Sequence, residues 1–482
     1  MKKSILVFAI ILISSFTSIN QYQKKIVTDE KTDLIDKYIT ELAAKDGFSG
    51  AILVAKNGKV LLKKAFGYAH LGLKVKNNIN TKFNYASIGK TFTSVAIFQL
   101  IQEERLSLTD NIGKYLAEYP NKTIRDSVTI THLLTHTSGV PNYFAKKKFL
   151  ESSKTRFRTM EDLSPLYENE PMESKPGEIF SYRNTNYLLL GRIIEKITGL
   201  SYDEYVAKRI FFPLSMRNTG NFDIDHVIEN AAEGYTTSNI YPNKYQLNTF
   251  MGTVRGSSAG GGYTTLDDLY QFAEAIKNSR LLNETYTDIL TKPLNKKTRY
   301  GYGLSFTNPE KGTIYGHSGG HFGVGSEWRV YEDEVYTVIL LTNRDAGQGF
   351  MEARFFVQRL ISGSTPSIDT FFFTKKVIET CIEKGYKTAS ELISARTTDL
   401  SENDLNSKGY ELLHQERFDL AIDMFKLEAL AFPKSYYSFD SLGEAYMKNG
   451  KIDLAILNYK KSLKLNPENN NAKEMIKKMK RK

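Results

Sequence analysis

The sequence predicts a mixed α/β domain whose sheet takes its strands from both ends of that domain, followed by an all-helical repeat tail. Three observations carry this prediction. Two β-rich runs joined by Asn57-Gly58 stand near the start, and strand signals return only between Tyr302 and Thr342. The stretch between them, from about Leu108 to Leu290, is patterned mostly as helices broken by loops, without the βαβ alternation of a doubly wound parallel sheet. Beyond Ser362 the strand signals stop and a 34-residue period begins (443 − 409).

The elements follow in order. Leu34, Ile35, Tyr38, Ile39 and Leu42 space an amphipathic helix over Thr32 to Ala44. Gly50 to Lys56 and Lys59 to Phe66 then flank Asn57-Gly58, a pair that tolerates positive φ and so favours a tight hairpin. An amphipathic helix is expected from Ser87 to about Gln102. Gly199 fits a helix C-cap, Ser201 to Glu204 fits a capping box, and Thr265 to Asp268 opens another helix in the same manner. Strands are expected over Tyr302 to Phe306, Thr313 to His317, Glu327 to Tyr331 and Val335 to Thr342, the last two joined by Glu332-Asp333-Glu334. Gly363-Ser364-Thr365-Pro366 reads as a linker. After it, helical pieces near Phe371 to Glu383 and Ala389 to Arg396 lead into the repeat, either completing its stack or docking it. In the repeat Phe418 to Ile422 matches Ile452 to Ile456, Gly409 matches Gly443, Phe425 matches Tyr459 and Pro433 matches Pro467. This pattern resembles the tetratricopeptide repeat. The resulting division is a signal peptide over 1–20, a domain over 28–362, a helical linker over 363–400 and repeats over 401–482.

Composition narrows the function classes. A chain of 482 residues with 41% hydrophobic and 12% aromatic residues builds more than one core, which excludes global disorder. The net charge of +11 is spread along the chain, and the basic end from Lys477 to Lys482 reads as a solvated helix terminus, so no nucleic-acid partner is expected. Lys2 and Lys3, the apolar run Ile5 to Ile13 and the small polar residues after it have the order of a secretory signal. Export to the periplasm or the cell exterior is expected, with an uncleaved membrane tether as the alternative. Cys381 is the sole cysteine, so the fold has no internal disulfide to depend on.

Ser87-Ile88-Gly89-Lys90 carries the first chemistry. Residues three apart share one helix face, so the Lys90 amine can reach the Ser87 hydroxyl, a weak nucleophile that needs a neighbouring base. A helix N-terminus beside it suits a developing oxyanion. Tyr182-Arg183-Asn184 stands before a further helix and His317-Ser318-Gly319-Gly320 follows a strand. In this order and spacing the three motifs resemble those of class C β-lactamases and the related serine D,D-peptidases and esterases. Ile130 to Gly139 (Ile-Thr-His-Leu-Leu-Thr-His-Thr-Ser-Gly) and Ser258 to Gly262 match as flanking stretches, and the resemblance spans roughly Ile35 to Ile361. It implies an α/β fold with an antiparallel sheet flanked by helices and a helical insertion subdomain, here followed by the all-α tetratricopeptide-like tail.

The resemblance also implies roles. Ser87 is the nucleophile, Lys90 and Tyr182 handle its proton, and Asn184 holds Lys90 and the substrate amide. The backbone N–H groups of Ser87 and Gly320 form the oxyanion hole, and His317, Ser318 and Gly319 line the substrate. Either the Lys90 amine, if neutral, or the Tyr182 phenol, if its pKa is lowered, can be the base. Where the family's β-lactamases usually carry a lysine this chain has His317, an imidazole mostly neutral above pH 7. The expected activity is therefore that of a D-amino-acid peptidase or esterase rather than a β-lactamase, on a small-molecule or peptide substrate of which cell-wall peptide is one kind. No cofactor or metal is implied. The alternative is a non-catalytic receptor or scaffold that uses the repeats to dock a partner protein.

Three other readings fail on the residues. Gly316 to Gly320 also fits the nucleophile elbow of α/β-hydrolases, but no helix and no suitable downstream histidine follow. Gly89-Lys90-Thr91 lacks the first glycine of a phosphate-binding loop, where Asn84 stands. The pairs His132/His136 and His317/His321 lack the glutamate of a zinc-protease motif and read as structural histidines.

Overall fold

The computed structural model describes residues 29–237, 245–295, 299–307, 314–396 and 399–480. The segment read as a secretory signal and the last two residues of the basic end lie outside these. Among the described residues no helix is long and apolar enough to cross a membrane.

Six strands form one antiparallel sheet in the order Lys59–Phe66, Gly50–Lys56, Tyr336–Thr342, Val324–Tyr331, Ile314–His321, Ser305–Thr307. The first two are the N-terminal hairpin. Asn57 and Gly58 both take positive φ (50° and 72°) and close it on the Lys56–Lys59 pair. Gly50–Lys56 pairs residue for residue with Thr342 to Tyr336, which joins the two ends of the domain. Alternate side chains of these strands enter two cores. Ala51, Leu53, Ile339 and Leu341 face the Gly89–Gln102 and Leu266–Lys277 helices. Ile52, Val54, Val338 and Leu340 face the Glu30–Ala44 and Gln348–Ser362 helices. Coverage on both faces explains why Gly50–Lys56 reads as a continuous apolar run rather than an alternating one.

Several expectations need correction. The Gly89–Gln102 helix is not amphipathic: every residue from Gly89 to Leu100 is buried, because helices and sheet surround it. Ser87 lies before this helix, in a 3₁₀ turn over Ala86–Ile88. The strand expected over Tyr302 to Phe306 is confined to Ser305–Thr307, since Gly303 turns the chain at φ 85°. A side chain at Gly303 would meet Ser94 Oγ at 1.9 Å. The next strand runs past His317 to His321, so the third motif is sheet and not loop. The Ser201–Glu204 capping box and the left-handed Gly199 cap form as expected. Thr265 also caps its helix, but the Asp268 carboxylate turns away to accept from Asn218 N and Thr219 Oγ1.

The tail continues from Gly363, with Pro366 in the first turn of a helix over Pro366–Ser394 that breaks at Gly385 (φ 83°). Five helices follow, from Glu402–His414 to Asn470–Met479. A Cβ at Gly409 would meet the Phe425 ring at 2.4 Å, and one at Gly443 the Tyr459 ring at 3.1 Å, so the matched glycines pack against the matched rings. The linker helices do both things open to them. Val377, Cys381, Ala389 and Ile393 join the repeat core, while Lys375 pairs with Glu352 and Phe371 packs on Phe355 of the preceding domain.

Candidate active site

Ser87 is held in place by its neighbours rather than by a helix. Ala86 has φ 43°, and its carbonyl accepts from Gly261 N at 3.0 Å. Ser326 Oγ donates to Tyr85 O at 2.8 Å. A Cβ on Gly319 would stand 2.5 Å from Ser87 N, so the Ile314–His321 strand lies hard against the Ser87 turn and only glycine fits there. Gly260 presses on the other side, with an added Cβ 2.0 Å from Ala86 O.

Lys90 occupies the first turn of the following helix and is fully buried. Its Nζ donates to Ser87 Oγ (3.2 Å), Asn184 Oδ1 (2.8 Å) and the carbonyl of Ala259 (2.6 Å). No carboxylate is among these partners, and burial pulls its pKa down to about 7. The Tyr182 hydroxyl lies within interaction reach of the Ser87 side chain, which draws its pKa down against the larger effect of burial, and Lys90 Nζ stands 5.0 Å from the centre of the Tyr182 ring. Although 39% of Tyr182 is accessible, its hydroxyl points inward among buried groups, and burial pushes its pKa up. Of the two candidate bases the amine is thus the one with a neutral form to offer near pH 7.

His317 is also buried, and its pKa falls to about 3, through burial first and the nearby Lys90 charge second. Its Nδ1 lies 2.6 Å from the Ser318 carbonyl, which can only accept, so Nδ1 carries the proton and Nε2 (3.0 Å) accepts from the Tyr300 hydroxyl. The imidazole supplies no cation. Ser318 lies within a strand and not on a strand-to-helix turn, which removes the elbow geometry. The His132 and His136 Nδ1 atoms each lie 3.2 Å from a backbone N–H, that of Thr129 and of Arg183.

The three motifs therefore converge, and Ser87, Tyr182 and Gly320 line two cavities at once. One, of about 230 Å³, is walled by Tyr143, Phe144, Asn248, Thr253, Tyr263 and His321. The other, of about 390 Å³, includes Tyr300, Ser305, His317, Ser318 and Arg354. Among the described residues that line them, the first cavity has no Asp, Glu, Lys or Arg and the second has Arg354 alone. Arg354 Nε lies 2.6 Å from Glu327, whose carboxylate also serves Arg329 at 3.3 Å, so two guanidinium groups share one anion.

Sequence reasoning missed Ala259, Tyr300 and Arg354. The Ser258 to Gly262 stretch did signal Ala259's segment, but the contact is through its carbonyl, which no residue identity reveals. Arg354 sits on a helix with no motif around it, and only tertiary packing brings it to the serine.

The sequence profile of the family described as beta-lactamase matches residues 35–362, and that of the tetratricopeptide repeat matches residues 441–469. Penicillin-binding protein 4* of Bacillus subtilis is 30% identical over 332 residues, covering 65% of this chain and 72% of that protein. Protein flp of Staphylococcus aureus is 29% identical over 328 residues, covering 66% of this chain but 64% of that protein, so the chain spans less than two thirds of it. The crystal structure of a penicillin-binding protein from Bacillus halodurans superposes with a TM-score of 0.61 at 30% identity, over 66% of this chain and 98% of that one. A D-amino acid amidase from Ochrobactrum anthropi shares the fold at 20% identity (TM-score 0.59, over 70% of this chain and 100% of that one).

Proposed function

The chain belongs to the β-lactamase family of serine hydrolases and penicillin-binding proteins, and from that premise we propose that it cleaves an amide or ester through an acyl-enzyme on Ser87. The observation that carries this is the Lys90 amine, buried, 3.2 Å from Ser87 Oγ and with a pKa near 7. In its neutral form it takes the Ser87 proton as the oxygen attacks the substrate carbonyl. The backbone N–H groups of Ser87 and Gly320 receive the oxyanion. Tyr182, which stays protonated, donates to the leaving group and is reprotonated through Lys90. Asn184 keeps the amine aimed by accepting from it at 2.8 Å. Water then attacks the acyl carbon, with the amine again as base, and frees Ser87.

A D-amino-acid peptide or an ester is favoured over a β-lactam as substrate, because the neutral His317 leaves the third motif without the cation that a β-lactam carboxylate meets at a lysine. The uncharged, aromatic-walled cavity supports an uncharged group on one side of the scissile bond. The helical repeats support docking of a partner protein.

Labelling with a fluorophosphonate tests the reading: wild-type protein is modified and Ser87→Ala is not. Equal labelling of Ser87→Ala, or none of the wild type, refutes it. Among one ester, one D-Ala-D-Ala peptide and one cephalosporin, the cephalosporin is turned over slowest.

A further inference from the structure

His136 lies outside the proton-handling set, yet the segment that carries Tyr182 is built around it. Residues 179–183 belong to no helix or strand, and Arg183, the N-cap of the next helix, makes no side-chain cap bond. What ties this segment down is the chain from His136 to Val140. Glu173 N donates to Gly139 O, Gly177 N to Thr137 O and Ser181 N to His136 O, each at 2.8 Å. Arg183 N then donates to His136 Nδ1 at 3.2 Å. The residues on either side of Tyr182 are thus both bonded to His136, one through its carbonyl and one through its ring. That ring lies against the Tyr182 ring, with centroids 4.2 Å apart.

The hydrogen bonds also decide which ring nitrogen carries the proton. Val140 N can only donate, so Ser138 Oγ accepts from it at 3.1 Å and donates its own O–H to Asn186 Oδ1 at 2.6 Å. The Asn186 amide is thereby oriented with Nδ2 toward His136 Nδ1, 3.2 Å away. Two N–H donors converge on Nδ1, which must be the acceptor, and the proton resides on Nε2. The side chain is fully buried, and its backbone adopts φ 58°, a left-handed conformation a side chain enters only when the surroundings impose it.

We propose that His136 is a positioning residue that aims the Tyr182 hydroxyl at Ser87, acting through its Nδ1 acceptor and not through the bulk of its ring. The inference rests on the acyl-enzyme reading above. It has functional weight because residues 179–183 lie in no helix or strand, so the bonds from Ser181 and Arg183 to His136 set where Tyr182 stands. Misplacement of a catalytic group by about 1 Å costs on the order of a hundredfold in rate.

Two substitutions separate acceptor from ring. His136→Asn places Oδ1 near the position of Nδ1 and tolerates positive φ, whereas His136→Phe keeps the ring and loses the acceptor. Hydrolysis of a small neutral ester, with active sites counted by fluorophosphonate, gives kcat per folded site. His136→Phe lowers kcat roughly 10- to 100-fold with KM unchanged, and His136→Asn stays within about fivefold of wild type. If His136→Phe does not fold, Asn186→Asp provides the second arm. Its carboxylate faces Nδ1, draws the proton there and removes the acceptor from Arg183 N, with the same loss in kcat at the pH plateau. Full activity in His136→Phe, an Asn variant as poor as the Phe variant, or an unaffected Asn186→Asp overturns the proposal. Ser87→Ala and Tyr182→Phe run alongside: activity retained in Ser87→Ala refutes the acyl-enzyme reading instead, and activity retained in Tyr182→Phe refutes the leaving-group role of Tyr182.

Discussion

Acidifying the medium from pH 8 to pH 5 should silence Ser87 through Lys90. Burial brings the Lys90 amine from its ordinary 10.5 to about 7, and in the proposed mechanism its neutral form is the base. That form makes up about 90% of the amine at pH 8 and about 1% at pH 5, so the acylation rate falls roughly 90-fold and tenfold per unit below the midpoint. Three neighbouring groups do not share the transition. The His317 pKa lies at about 3 and that of His136 well below its ordinary value, so both imidazoles are neutral throughout, and Tyr182 keeps its proton. The assay is the second-order rate of modification by a neutral fluorophosphonate between pH 5 and 10, with the probe's own hydrolysis subtracted. Lys90→Arg, a permanent cation, should lower the rate about 10²- to 10⁴-fold and erase the midpoint. A rate that is flat between pH 6 and 8 refutes Lys90 as the base. One that still climbs tenfold per unit above pH 9 assigns the role to the Tyr182 phenolate.

Gly319→Ala puts a methyl 2.5 Å from Ser87 N, so labelling by fluorophosphonate should fall at least a hundredfold while the circular dichroism spectrum is kept. Arg354→Ala should raise KM about tenfold for a carboxylate-bearing ester and leave a neutral ester unchanged; Arg329 still balances Glu327, so thermal stability changes little. Gly409→Val overpacks the Phe425 ring at 2.4 Å and should melt the repeat tail early by roughly 1–3 kcal/mol, with Ser87 labelling intact, because the repeat core and the sheet cores are separate clusters.

Local signals carried the sheet and its hairpin. Asn57-Gly58 announced a turn because few residue pairs accept positive φ twice in a row, and the matched Gly409/Gly443 and Phe425/Tyr459 announced the repeat because each glycine must admit a ring. Helix ends at Gly199 and Ser201 were equally legible, since caps satisfy backbone groups only a few residues away. Where sequence reading failed, the cause was distant. The Gly89–Gln102 helix looked one-sided by composition, but sheet and helices cover it all round. The strand expected at Tyr302 was cut short because Gly303 meets Ser94, some two hundred residues earlier in the chain.

The active site divides along the same line. Residue identity and the three-residue step from Ser87 to Lys90 determined that an amine can touch an alcohol, and the ordered motifs determined which phenol and imidazole belong with them. Charge was decided elsewhere. Whether Lys90 is a cation or a base, and whether His317 can hold an anion, depends on how much water each side chain keeps. That is settled by the segments folded over them, Asn184 and Ala259 against the amine and Tyr300 against the imidazole. Hydration is a property of the packed interior, and no stretch of chain read by itself contains it.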